Sequence, residues 1–384
     1  MKHSERVVIV GGGVVGCSIA YYLSRRGVAV TLLERGEIGA QASGAAAGLF
    51  SSWKPLAKMD AYNRLLFASQ SLFSELIEEL EDVTGIDLEY EQTGTLRTIQ
   101  HDRRMRKLQP WVASCQADGL RVELLNEEET RRREPLLASD ICGALWLPDE
   151  GQVRAQRVVE ALVRAATDCG AKLSAHKEVI AIQQNKGRAL SVTTAQGEII
   201  PCDYLIIAAG AWAARCGKWL NLTLPVEPQR GQLLSLRQPV PAIRHIVIGK
   251  GIYVAPKKDG TVIVGATKED VGFAAQVTAG GVFWLLDWAL KLVPALEQSA
   301  LERVWAGLRP KTPDNYPILG TAPGWENVAL AVGHHSFGVL LSAISGQSIA
   351  ELITSGQVPE IIQPFSQERF MRPDQEYDLP LLKK

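Results

Sequence analysis

Three glycines spaced Gly11-x-Gly13-x-x-Gly16 stand between a wholly apolar run, VVIV at 7–10, and a segment with a helical apolar face made by Cys17, Ala20, Tyr21 and Leu23. Few patterns restrict a fold more. The apolar run reads as a parallel strand covered on both faces. The segment after it reads as a helix over 14–26, ended by Gly27 as a C-cap glycine ends one. A second strand follows over 28–33, which makes a βαβ start and predicts a parallel sheet. In such a unit Gly11 allows the tight turn, Gly13 the close approach of backbone to a pyrophosphate, and Gly16 the close packing of helix on strand. The first helical N–H groups and the helix dipole then face phosphate oxygens. Glu34 closes the second strand, where a carboxylate accepts hydrogen bonds from a ribose hydroxyl. The chain is therefore expected to bind a dinucleotide.

A chain of 384 residues predicts two domains. The formal net charge of -1 offers no general attraction for nucleic acid or anionic lipid. The six cysteines form no C-x-x-C pair and read as reduced, partly buried thiols of a cytoplasmic protein, with no metal site expected. The apolar start is cut off at Gly11, so no secretory signal is expected. No stretch reads as a membrane span of about 20 apolar residues.

Further along, helical periodicity runs over 57–82, with Phe73, Leu76, Ile77 and Leu80 at i, i+3, i+4 and i+7. Residues 88–99 alternate around Thr93-Gly94 and predict a β-hairpin. Two charged helical stretches, a strand over 143–147 and an amphipathic helix over 155–169 follow. Asn185-Lys186-Gly187 marks a turn between strands, and residues 204–210 form a buried strand ending in glycine. Residues 226–267 are mostly strand, with a tight hairpin at Asp259-Gly260. A helix over 278–292, a strand over 328–332 and a helix over 338–354 complete the fold, and the polar tail past Pro364 is expected to be loosely held.

The α/β signatures recur at the start, middle and end, which predicts two discontinuous domains. A Rossmann-like α/β domain would take residues 1–85, 150–222 and 316–364. A mixed antiparallel-sheet domain would take 86–149 and 223–315, leaving a tail at 365–384.

Beyond Glu34 the run ASGAAAG at 42–48 consists of tiny residues, which read either as a flexible loop or as a second wall around a pyrophosphate. With this run, six anchors occur in order: VVIVGGGVVGCSIAYYL (7–23), ASGAAAG (42–48), IIAAGAW (206–212), IYVAPKKDGTVIVGAT (252–267), WAGLRPKTPDNYPILG (305–320) and the turn at Gly333. On these the chain resembles the glycine oxidases of the D-amino-acid oxidase family over nearly its whole length.

The resemblance implies FAD rather than NAD. It places cofactor contacts at Val14, Val15, Glu34, Arg35, Ala42, Ser43, Ala47, Gly48 and Leu49. The backbone of Val179 would meet the adenine end. His334, His335, Ser336, Phe337, Gly338, Val339 and Leu340 would lie beside the flavin ring, where a helix N-terminus stabilises the negative charge of reduced flavin. The histidine pair is read as shaping that turn, since adjacent histidines rarely hold one metal alone.

The resemblance also implies oxidation of a small amino acid, glycine or else sarcosine or a small D-amino acid. A hydride passes to the flavin, water hydrolyses the imine to a 2-oxo acid and ammonia, and molecular oxygen becomes hydrogen peroxide. Arg309 matches the family's carboxylate anchor, because a guanidinium grips a carboxylate through two parallel hydrogen bonds. Tyr253 matches a tyrosine of the substrate site. The family further implies a homotetramer and a part in thiamine biosynthesis through iminoglycine.

Two positions depart from the glycine oxidase pattern: Ser336 stands in place of an arginine and Lys268 in place of a methionine. Lys268 either adds charge to the cavity or points into solvent. A dehydrogenase with another electron acceptor and a non-catalytic dinucleotide-binding protein remain as alternative readings.

Overall fold

The computed structural model describes residues 5–51, 60–238 and 242–371. Six strands form one sheet in the order Ile318–Thr321, Val328–Val332, Tyr204–Ile207, Arg6–Val10, Ala29–Leu33 and Lys172–Ser174. All neighbours are parallel except the Ile318–Thr321 edge. Its central strands are continuously apolar because both faces are covered. Val7, Ile9 and Leu32 pack with the helices Val14–Ser24, Ala61–Thr84, Ala155–Asp168 and Gly338–Ser355. Val8, Val10 and Leu205 pack with the antiparallel strands Val179–Asn185 and Arg188–Thr194 and with the helix Ala213–Leu220.

From Arg6–Val10 the chain crosses through Val14–Ser24 to Ala29–Leu33 on one side, while Tyr204–Ile207 lies on the other. Connections that leave in opposite directions open a crevice beyond the carboxyl ends of the strands. Gly11 stands at that point.

Eight strands make the second large sheet: Ala300–Lys311, Glu227–Arg237, Thr261–Gly265, Ile252–Pro256, Ile246–Gly249, Thr95–Ile99, Gly143–Leu147 and Glu123–Asn126, in that order. Side chains alternate between its faces. Leu234, Leu236, Val254, Val262 and Val264 share a core with Leu285, Ala289 and Leu292 of the helix Ala279–Leu292. On the opposite face Leu233 and Ala266 pack with Ala47, and Tyr253 and Trp305 lie against them. That face looks into the crevice of the first sheet.

Most expected elements lie within a few residues of their predicted ends, and three differ in an instructive way. The helix expected from residue 57 runs Ala61–Thr84, with Asp60 accepting a hydrogen bond from the Asn63 N–H as its cap; residues 57–59 lie outside the described residues. Residues 88–99 do not close into a hairpin. Glu91 bridges to Gln152, the Gly94 N–H donates to the Glu150 carbonyl (2.9 Å), and Thr95–Ile99 enters the eight-stranded sheet. The Thr93-Gly94 turn carries the chain from that bridge into the eight-stranded sheet. A two-stranded ribbon standing alone would have buried too little. Past Pro364, the expected loose tail is packed as far as it is described: Phe365 and Gln367 are buried, and Arg369 forms an ion pair with Asp314 at 2.7 Å.

Residues 335–355 are long and apolar enough to cross a membrane, but most of that stretch is buried against Val14–Ser24 and Ala61–Thr84. It is a core helix of the α/β layer.

Candidate active site

Two connected cavities fill the crevice between the sheets. The larger has a volume of about 430 Å³. The smaller, of about 140 Å³, shares Gly13, Ala42, Ser43, Ala208 and Gly210 with it. The small residues at this neck are what let the two spaces join.

Gly11, Gly13, Glu34, Arg35, Ala42, Ser43 and Val179 line the smaller lobe. Buried Glu34 accepts from the N–H of Gly12 (2.7 Å) and of Gly36 (2.9 Å), which fixes the glycine turn to the end of the second strand. The Arg35 guanidinium lies 3.6 Å from the centre of the Trp212 ring, and Trp212 stacks on Phe273. Trp212 was not singled out from the sequence, although the AAGAW run that contains it was. Gly16 lines neither lobe and is instead the close contact between helix and turn.

Val14, Val15, Ala47, Gly48 and Leu49 line one wall of the larger lobe, and residues 334–340 line another. The Ser43 hydroxyl accepts from the Val14 N–H (2.9 Å), so the run of tiny residues is tied to the start of the first helix. His334 is buried, its Nε2 lies 2.9 Å from Ser345 Oγ, and burial pushes its pKa down to about 3, so the ring is neutral. His335 Nε2 pairs with Gln229 Oε1, and Ser336 Oγ lies 3.2 Å from His335 Nδ1. The N-cap residues Gly13 and Phe337 give no side-chain cap to Val14–Ser24 and Gly338–Ser355, and the first turns of both helices line this lobe. Two positive helix ends therefore face one cavity. A two-lobed space with backbone donors at its neck and a helix N-terminus at each side fits a dinucleotide whose second half is a large ring. Among the described residues, no three His, Cys, Asp or Glu side chains group as a metal site.

Arg309, Tyr253 and Lys268 stand on the far wall of the same lobe. Arg309 Nη1 donates to the Thr267 carbonyl (2.9 Å), and its guanidinium lies against Gly231 on the neighbouring strand. A Cβ at Gly231 would come within 2.3 Å of that group, so only glycine leaves room for the arginine to turn into the cavity. Burial pulls the Arg309 pKa below its usual value, with Tyr253 opposing, and an arginine remains protonated even so. Burial pushes Tyr253 up to about 12, which keeps its hydroxyl a neutral donor. Lys268 is exposed at the rim.

Lys257 was not legible as a site residue, because in the sequence PKKDG it resembles a turn lysine. It is 7% exposed and donates to the carbonyls of Ala47 (2.7 Å) and Val153 (3.2 Å), fastening the small-residue wall to the second sheet. Burial pushes its pKa down to about 7, helped by Arg154 and opposed by Glu89, Glu91 and Asp259. Unfolded, a lysine keeps its proton up to about pH 10.4. Between about pH 7 and 10 the unfolded chain thus holds more protons, and this group makes stability rise with pH; below pH 7 its penalty is constant. Paired urea denaturations of wild type and Lys257→Met from pH 6.5 to 9.5 should show the stability difference moving steadily in favour of the wild type. A constant difference would contradict this.

The profile of a family described as DAO, FAD dependent oxidoreductase, matches residues 6–352. The glycine oxidase of Geobacillus kaustophilus is 35% identical over 371 residues, covering 96% of this chain and 98% of that protein. A bifunctional protein ThiO/ThiG of Nostoc is 34% identical over 98% of this chain and 56% of its own length. Among solved structures, the Geobacillus kaustophilus glycine oxidase superposes with a TM-score of 0.89 at 34% identity, over 94% of this chain and 98% of that one. An iminodiacetate oxidase from Chelativorans superposes with a TM-score of 0.87 at 29% identity, over 94% of this chain and 98% of its own.

Proposed function

The chain belongs to the DAO family of FAD dependent oxidoreductases, with FAD as its cofactor, and from that premise we propose that it oxidises the carbon–nitrogen bond of a small amino acid, glycine first. The carrying observation is that Arg309 and Tyr253 share one wall of the lobe whose opposite walls are a helix N-terminus and the small-residue run.

In this reading the smaller lobe takes the adenosine. Glu34 receives the ribose hydroxyls, and Val179 meets the adenine through its backbone. The turn from Gly11 to Gly16, with the N–H group of Val15, faces the pyrophosphate, and Val14, whose N–H donates to Ser43 Oγ, lines the same lobe. Ala42, Ser43, Ala47, Gly48, Leu49 and residues 334–340 surround the ring. The six-stranded sheet is then the cofactor domain and the eight-stranded sheet the substrate domain. FAD, when bound, supplies the acceptor for a hydride leaving the substrate Cα.

The protein's own part is orientation and charge. Arg309 grips the carboxylate through the guanidinium edge turned away from Thr267, and the Tyr253 hydroxyl donates a further hydrogen bond. This fixes the Cα towards the ring-binding wall. Among the described residues that line the larger lobe there is no Asp or Glu to act as a base. None is required, because cationic neighbours disfavour the ammonium form and favour the neutral amine from which a hydride can leave. Water then hydrolyses the imine, and oxygen takes the electrons.

The similarity to part of ThiO/ThiG supports a role supplying iminoglycine to thiamine synthesis, and we further propose a cytoplasmic homotetramer. Incubation of the FAD-loaded protein with glycine in air should yield glyoxylate, ammonia and peroxide in equal amounts. Glyoxylate without peroxide would move the acceptor away from oxygen, and no product from glycine, sarcosine or a small D-amino acid would overturn the reading.

A further inference from the structure

The strand Glu227–Arg237 is buried over most of its length, yet its residues 229–232 read Gln-Arg-Gly-Gln. Polar side chains in a covered strand are costly unless each is hydrogen-bonded. Successive residues of a strand point to opposite faces. Gly231 faces the cavity, where the Arg309 guanidinium takes the room of a side chain. Arg230 and Gln232 face the other way, on the side where Leu234 and Leu236 pack beneath the helix Ala279–Leu292. There they grip one segment, residues 267–278.

Buried Arg230 donates to the carbonyls of Ala274 (3.3 Å) and Gln276 (3.0 Å) and pairs with Glu269. Gln232 Nε2 donates to Glu269 (2.7 Å) and to the Thr278 hydroxyl (3.0 Å), and the Gln232 side-chain carbonyl accepts from the Thr278 N–H (2.8 Å). The Gln232 backbone N–H donates to the Thr267 hydroxyl (2.9 Å), which in turn donates to Glu269. Glu269 thus accepts from three side chains. Burial would raise its pKa, but those hydrogen bonds outweigh it and hold the group below the ordinary carboxylate range, so it is ionised. Glu269 lines neither lobe of the crevice.

Thr267 lies two residues beyond the end of the strand Thr261–Gly265, and its carbonyl is the acceptor that fixes Arg309 (2.9 Å). Past the ladder, its backbone is held by one N–H bond to the Gln232 carbonyl (3.2 Å) and by the hydroxyl clasped between Gln232 and Glu269. A guanidinium that serves a backbone carbonyl with one nitrogen is aimed by the place of that carbonyl. We propose, on the footing of the Arg309 assignment above, that Glu269 is a positioning residue for substrate binding. It never meets the substrate. With Arg230 and Gln232 it holds the Thr267 carbonyl where Arg309 presents its other edge to a carboxylate.

A double-mutant cycle separates this role from a mere brace of the segment. Glu269→Gln keeps the size and removes the charge that Arg230 pairs with; Thr267→Val removes the hydroxyl and Thr267→Ser keeps it. In the FAD-loaded protein, Glu269→Gln and Thr267→Val should each lower kcat/KM for glycine by about 10- to 100-fold. Thr267→Ser should retain most of it. Calorimetric affinity for glycolate, which keeps the carboxylate and carries a hydroxyl in place of the amine, should fall by a similar factor. Made in Arg309→Ala, the same substitutions should change kcat/KM by no more than about 2-fold, because the group they aim is gone. Wild-type kcat/KM and glycolate affinity in Glu269→Gln, or an equal loss with and without Arg309, overturns the inference and leaves the Arg309 assignment standing. Undiminished glycolate binding in Arg309→Ala overturns that assignment, and the inference with it. If no amine is turned over, amine oxidation falls and the cycle measured with glycolate still decides the inference. Where Glu269→Gln does not fold, the Thr267→Val and Thr267→Ser pair decides it alone.

Discussion

Arg309→Ala is expected to lower kcat/KM for glycine by about 100- to 4,000-fold while the protein still takes up FAD. A charge-assisted contact to a carboxylate in a partly desolvated site is worth several kcal/mol when one partner is removed, about 3–5 by analogy with broken buried pairs. Each 1.4 kcal/mol is a factor of ten. The loss should divide between KM and kcat, because the same grip that binds the carboxylate also aims the Cα. Arg309→Lys should recover only part of the activity. An ammonium lacks the planar fork and cannot serve both the Thr267 carbonyl and the substrate in the arginine's geometry. Stability should change little, because the only hydrogen bond from the Arg309 side chain among the described residues is the one to Thr267 and a buried charge is costly to keep. Flavin absorbance of the purified variant, its melting temperature and steady-state kinetics together check this. Unchanged kcat/KM would remove Arg309 from the substrate site.

Gly16→Ala is expected to be the most damaging single methyl in the cofactor half. Its Cβ would stand 2.0 Å from the Gly11 carbonyl oxygen, and that oxygen belongs to backbone that cannot rotate away. Gly11 itself holds a φ of +113° with Ala208 pressed against it, so the turn has no slack. Helix and turn must separate, at a cost of about 1–3 kcal/mol for overpacking or more. The separation also disturbs the Val14 N–H bond to Ser43 Oγ and moves the Val15 N–H away from the position a pyrophosphate would occupy. The variant should purify with little or no FAD and melt well below the wild type. Full flavin content and an unchanged melting temperature would show that the glycine is not needed for the close packing described.

What the sequence made legible follows from how local each signal is. The glycine spacing, the covered strand at 7–10 and Glu34 are all set within one βαβ unit, so they could be read from neighbours in the chain. The Lys186-Gly187 turn is of the same kind: both residues have positive φ between paired strands. Arg309 is different. It is one strand arginine among many, and its role depends on Gly231 of the neighbouring strand and on the Thr267 carbonyl, neither of which a periodicity shows. Only the likeness of WAGLRP to a known family pointed to it. Lys257 and Trp212 were missed because burial of the first and stacking of the second arise only when the sheets meet. The hairpin expected at 88–99 failed for a related reason. Alternation and a turn signal say that strands exist there, but they do not say which strands pair, and the better partners for Thr95–Ile99 come from residues 143–147 and 246–249.

The proposal is that the wall of the second sheet holds a substrate carbon against a flavin seated in the crevice of the first. The most direct test is to mix the purified, FAD-loaded protein anaerobically with glycine, sarcosine and iminodiacetate and to follow the oxidised flavin band. Loss of that band with at least one of the three, and its return on admitting air, is the expected result. A band that stays unchanged with all three would contradict the account.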